Sequence, residues 1–194
     1  MKYQASLTSQ ITGLPPILSC RRLEYKLELL SQENMKTLLL LRHAKSSWDD
    51  PSLADFDRPL NKRGTKAAPK MGALMRQRKI RPDLILSSPA ARAKQTIELF
   101  CEAAGLSDVV KYEAGIYEAT PQRLLEIISG LDDQVNNAML VGHNPGFEEL
   151  LTLLTGQTHR MPTAALARIE LDINKWREAS PGRGNLAWLV TPKD

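Results

Sequence analysis

Four consecutive leucines, Leu38 to Leu41, run directly into Arg42 and His43. An unbroken apolar run that ends in charge is the pattern of a strand covered on both faces, as in a parallel sheet, rather than of a strand with one wet face. In sheets of that kind the residues just past the carboxyl ends of the strands form the ligand crevice. Arg42 and His43 are therefore predicted at a crevice. An Arg-His pair alone also recurs by chance at strand ends, so its meaning depends on partners elsewhere in the chain.

Those partners emerge from the order of the remaining elements. Lys45 to Asp57 holds four aspartates and no sustained period, which predicts a loop over the crevice. A helix follows Asp57-Arg58-Pro59-Leu60-Asn61, with Ala67, Met71, Leu74, Met75 and Arg78 on one side. Pro69 inside it predicts either a start near Ala68 or a bent first turn. Asp83 to Ser87 is a short strand. Ser88-Pro89 then predicts a capping serine with proline at the first helical position, over a helix whose core stripe is Ala93, Ile97, Phe100, Cys101 and Ala104 and whose stop is Gly105. Arg92 falls off that stripe, near the positive end of the helix dipole, where an anion is favoured.

Val109 to Tyr112 reads as a strand, and Thr120-Pro121 opens a helix carrying Leu124, Leu125, Ile128 and Leu131. Glu118 lies on the loop between them. Ala138 to His143 repeats the first strand's pattern, apolar residues ending at a histidine. Asn144-Pro145 is expected to cap the next helix, with Phe147, Leu150, Leu151 and Leu154 on its core face and Gly156 as its stop. Leu166 to Leu171 and Leu186 to Val190 read as an antiparallel edge hairpin joined by a polar loop at 181–185. Four strand–helix pairs and a hairpin predict an α/β three-layer sandwich, a mostly parallel central sheet with helices on both faces.

Composition narrows the function classes. A chain of 194 residues, 42% hydrophobic and 25% charged, is long enough for one domain with a sizeable core. Its 26 basic and 22 acidic residues are mixed along the chain, and no basic patch interleaves with aromatics, so nucleic-acid binding is not expected. Cys20 and Cys101 are too few for a disulfide framework or a zinc cluster, which points to a reducing, cytoplasmic setting and no metal. No apolar run reaches the roughly 18 residues of a membrane span. Residues 1–34 differ from the rest: Pro15-Pro16 interrupts any leader-like apolar stretch, Leu23 to Leu30 is a short polar helix candidate, and Met35 stands directly before the first strong strand. They read as a poorly ordered extension or a misassigned start, with the folded domain at 35–194.

The polar residues expected at the sheet's carboxyl edge are Arg42, His43, Arg92 and His143, with Glu118 nearby. No serine nucleophile elbow, metal-ligand spacing or glycine-rich nucleotide loop competes with them. Two arginines beside two histidines suit a phosphoryl guest, because planar guanidinium forks match its oxygens. On these residues the chain resembles the histidine phosphatase (phosphoglycerate mutase-like) superfamily. Leu41-Arg42-His43-Ala44-Lys45, Arg58-Pro59-Leu60 with Gly64, Ser87-Ser88-Pro89-Ala90-Ala91-Arg92-Ala93 with Gln95-Thr96, and Val141-Gly142-His143-Asn144-Pro145 match its pattern in order, across about residues 36 to 192. Ala44 after the histidine is similar to the small SixA-like branch of phosphohistidine phosphatases.

The resemblance implies a phosphoglycerate mutase-like fold and a metal-independent, cofactor-free phosphatase. It makes His43 the nucleophile that is phosphorylated, with Arg42, Arg92 and His143 binding phosphate. The family's proton donor is a carboxylate after the third strand, for which Glu118 is the nearest candidate, with Glu113 and the loop aspartates behind it. The expected substrate is a phosphohistidine domain of another protein. The alternatives are a small phosphoester and a noncatalytic phosphate-binding module, and a monomer is compatible with all three.

Overall fold

A computed structural model describes residues 35–107 and 109–193; the expected extension 1–34 with its helix candidate lies outside the described residues. The first strand, β1, is Lys36–Arg42, and its side chains alternate between the two faces of the sheet. Leu38 and Leu40 join one core, with Phe147, Leu150, Leu151, Leu154 and Trp176. Leu39 and Leu41 join the other, with Met71, Met75, Ile97 and Phe100. All four leucines are fully buried, so the unbroken apolar run is what two covered faces demand.

The remaining elements are helix α1 (Lys62–Gln77), β2 (Leu84–Ser87), α2 (Ala91–Ala104), β3 (Val110–Tyr112), α3 (Pro121–Ser129), β4 (Asn137–Gly142), α4 (Gly146–Thr155), β5 (Leu166–Leu171) and β6 (Gly184–Val190). The sheet order is β3-β2-β4-β1-β5-β6. Strands β1 to β4 are mutually parallel, and β5 and β6 form the predicted antiparallel hairpin at one edge. Helices α1 and α2 contribute to the core of one face, α3 and α4 to that of the other. The three-layer α/β reading holds.

Three local expectations are corrected. Helix α1 begins at Lys62 and runs through Pro69, because Asn61 caps it, its side chain accepting from the Arg63 and Gly64 amides at 3.0 Å. Proline there forfeits one helical hydrogen bond, which the cap and the buried face of Ala68, Met71, Gly72 and Met75 outweigh. Ser88-Pro89 does not open α2; the helix starts at Ala91 with Ala90 as its uncapped flank, and Ser88 serves the site instead. Likewise α4 starts at Gly146, and the Asn144 side chain donates to the Met161 carbonyl rather than capping. The stops were legible: Gly105 and Gly156 adopt the left-handed conformation, with φ of 68° and 71°. Thr120 caps α3 as expected. No helix among the described residues is long and apolar enough to cross a membrane.

Candidate active site

The parallel pairing of β1 with β4 places Leu41 beside Val141 and Arg42 beside Gly142, so the next residue of each strand leaves the sheet at the same level. Those residues are His43 and His143. Their ring centroids lie 5.0 Å apart with planes inclined at 49°. Gly142 is what the tight exit requires: a Cβ there would stand 2.7 Å from Phe147 Cζ and 2.8 Å from Ile116 Cγ2. Behind the histidines the backbone is pinned. The His43 amide donates to the Gly142 carbonyl at 3.0 Å, and the Ala44 amide donates to Thr96 Oγ1 at 2.9 Å. Thr96 in turn donates to the Arg92 carbonyl at 2.6 Å, which ties the loop after β1 to the first turns of α2.

A cavity of about 370 Å³ opens at this edge of the sheet, and Arg42, His43, Arg92, His143 and Glu118 all line it. The five predicted residues are brought together. His43 Nδ1 lies 2.7 Å from the Ala44 carbonyl oxygen. A carbonyl only accepts, so Nδ1 carries the proton and Nε2 keeps its lone pair. Burial holds the imidazole neutral, lowering its pKa to about 3; the Ala44 hydrogen bond opposes this, and His143, Arg92 and Arg42 reinforce it. His143 is lowered to about 4, again chiefly by burial, with Arg92 and Arg42 adding to the effect and Asp55 opposing it. The arrangement holds a neutral, oriented imidazole among cations, which is the state in which histidine is a nucleophile.

The cationic wall has its own order. Arg42 donates through Nη1 to the Met161 carbonyl at 2.7 Å, while its Nε is buried without a hydrogen-bond partner among the described residues. His143 Nε2 lies 2.8 Å from Ser88 Oγ, and its Nδ1 is likewise buried and unpartnered among the described residues. Asn144 Oδ1, on the same cavity, is a third such atom among the described residues; buried polar atoms without partners are rare, and the two nitrogens suit a guest rich in acceptor oxygens. Arg92 is only 6% exposed, and its guanidinium grips Asp55: Nη1 donates to the backbone carbonyl and Nη2 to Oδ2 at 2.8 Å.

Several residues that sequence reasoning did not place also stand here. Asp55 accepts from Arg58 Nη1 at 2.8 Å and from the Tyr117 hydroxyl at 3.0 Å as well as from Arg92. Partial burial pushes its pKa up, but the hydrogen bonds from Arg92 and Tyr117 and the Arg92 charge win and hold it below the usual carboxylate range. Arg58, 6% exposed, also donates to the Ser47 carbonyl and to Ser46 Oγ and stacks on Trp48, its guanidinium carbon 3.2 Å from the ring centroid. Arg58 and Ser88 belonged to motifs already noted, so their signal was present without a role. Asp55 was one of four aspartates in an aperiodic loop, and nothing local distinguished it. Glu118 stands apart: it is exposed, adopts a left-handed φ of 49°, and its carboxylate makes no hydrogen bond or ion pair among the described residues.

The model of the histidine phosphatase superfamily (branch 1) matches residues 38–120. An uncharacterised chloroplastic protein of Arabidopsis thaliana is 35% identical, over 81% of this chain and 78% of its own. The crystal structure of a proposed phosphohistidine phosphatase SixA from Agrobacterium tumefaciens is 34% identical, with a TM-score of 0.70 over 81% of this chain and 98% of that one. The chain belongs to the histidine phosphatase superfamily. A protein histidine phosphatase SixA complexed with tungstate has the same fold, with a TM-score of 0.71 at 23% identity over 81% of this chain and 97% of the other. For a histidine phosphatase, the pairing of β1 with β4 is the decisive feature, because it brings the two histidines to one cavity.

Proposed function

We propose that the protein removes phosphate from phosphohistidine in another protein, through a phosphohistidine intermediate on His43. Nε2 of His43 attacks phosphorus in line with the leaving group. Arg42, Arg92 and His143 hold the three equatorial oxygens and offset the charge they carry in the transition state. The departing imidazole takes the electron pair of the broken P–N bond and a proton from bulk water, which the hydrolysis step returns. Water then attacks phospho-His43, forming phosphate and returning the lone pair to Nε2. The Ala44 hydrogen bond keeps the ring in the required tautomer through both steps.

The observation that carries the choice of substrate is the state of the carboxylates. Asp55 is committed to Arg58, Arg92 and Tyr117 and held below the usual range, which makes it a poor donor of protons. An alkoxide leaving group needs a strong proton donor, whereas an imidazole, whose conjugate acid has a pKa of about 6.5, needs little help. The similar SixA structures support the same substrate class. A second reading, hydrolysis of a small phosphoester, is favoured by Glu118, whose carboxylate lines the same cavity and has no partner among the described residues.

The test is a side-by-side assay on a phosphohistidine phosphotransfer domain, a phosphoserine peptide and several sugar phosphates. The phosphohistidine domain is expected to be the best substrate by kcat/KM. Sugar phosphates turned over far faster would select the second reading. In parallel, His43→Ala is expected to abolish turnover and the acid-labile phosphoenzyme while vanadate still binds; a variant retaining a tenth of wild-type turnover would remove His43 as nucleophile.

A further inference from the structure

Beside the catalytic cavity lies a second, larger groove of about 590 Å³, lined by Lys45, Arg63, Lys66, Lys70 and Lys193. Lys45 and Thr163 line both hollows, so the two are contiguous. None of the five cations makes an ion pair or a side-chain hydrogen bond among the described residues, and no described acidic residue lines the groove.

The sequence builds this patch against the chain's own electrostatic interest. Arg63, Lys66 and Lys70 fall at helical spacings of three and four residues on one face of α1, opposite the face that buries Ala68, Met71 and Met75. Like charges at these spacings destabilise a helix. Lys62 and Arg63 also sit in the first turn, which holds no acidic residue, against the positive end of the helix dipole. The helix start is anchored to the loop after His43: the Asn61 amide donates to the Lys45 carbonyl at 2.9 Å, and a Cβ on Gly64 would collide with that same oxygen. A rigid cationic shelf is thereby fixed next to the nucleophile.

We propose that this groove is a second anion subsite, which receives acidic side chains flanking the phosphohistidine on the protein substrate. The proposal rests on the phosphohistidine reading above and deepens it. Carboxylates seated on these lysines relieve the repulsion within α1, orient the phosphoprotein over His43 and raise its encounter rate at low salt. A small aryl phosphate, which reaches only the catalytic cavity, gains nothing from the groove.

The test uses the full chain and the double variant K66E/K70E, whose residues do not line the catalytic cavity. Hydrolysis of p-nitrophenyl phosphate should be unchanged within twofold, which also reports that the variant folds. On the phosphohistidine domain kcat/KM should fall about tenfold or more, and its dependence on ionic strength should flatten. Equal kcat/KM for variant and wild type on that domain overturns the subsite. If wild type does not turn over the phosphohistidine domain at all, the substrate reading fails, and the groove is decided by binding of two probes. Polyglutamate bound by wild type and lost by K66E/K70E upholds a site for acidic protein surface. Tripolyphosphate bound in that manner without polyglutamate, or no binding of either, overturns it.

Discussion

Lowering the pH from about 8 to about 5 should leave the two site histidines neutral while it weakens the fold. An ordinary imidazole, with a pKa near 6.5, is only about 3% neutral at pH 5. With its pKa lowered to about 3 by burial first and by the neighbouring cations second, His43 stays almost wholly neutral there, as does His143 at about 4. The cost falls on stability. In the unfolded chain both rings take up protons as the pH drops through 6.5, whereas the folded protein does not, so the unfolded state gains. Stability therefore rises with pH across this window and is lost progressively toward the folded pKa values. For two histidines the loss between pH 8 and pH 5 is about 4 kcal/mol. Long-range proton–nitrogen NMR correlation would read the first half, with His43 and His143 unmoved across the window and the His43 proton on Nδ1. Urea unfolding at the two pH values would read the second, and His143→Gln should remove about half of the pH dependence. A His43 that titrates near 6.5, or with its proton on Nε2, would refute the reasoning.

Arg92→Lys should lower kcat/KM by about 10- to 100-fold, because an ammonium cannot reproduce the planar fork; a change within twofold would remove Arg92 from the site. Glu118→Gln should cost roughly 10²-fold on an alkyl phosphate, if Glu118 is the acid, and little on phosphohistidine. Equal losses on both substrates would make it a positioning residue, and no loss on either would place the donor elsewhere. Gly64→Ala should destabilise the protein by about 1–3 kcal/mol in thermal or urea unfolding, since the added Cβ collides with the Lys45 carbonyl beside the site; an unchanged midpoint would show that the loop yields freely.

Much of this was legible in the chain itself. The strand and helix order, the left-handed stops at Gly105 and Gly156 and the core stripes of α2 and α4 follow from periodicity and local backbone chemistry, which act over a few residues. Arg42, His43, Arg92 and His143 were located as candidates because apolar runs and helix starts announce their own ends, and Glu118 as the carboxylate nearest to where the family resemblance implies a proton donor. The misreadings were local competitions that the wider fold decides. Ser88 had the chemistry of a cap but is drawn to His143, 55 positions away, and Pro69 is carried inside a helix by the Asn61 cap and by packing.

What no local pattern contains is the network across the cavity. Asp55 became a site residue only when the loop after β1 was laid over α2, so that one carboxylate meets Arg58, Arg92 and the Tyr117 hydroxyl, the last 62 positions distant. The low proton affinity of His43 and His143 likewise comes from burial between elements far apart in sequence. Residue type and spacing determined which groups could do chemistry here. Tertiary structure decided which of them share a desolvated cavity, because desolvation and charge act through distances in space and not along the chain.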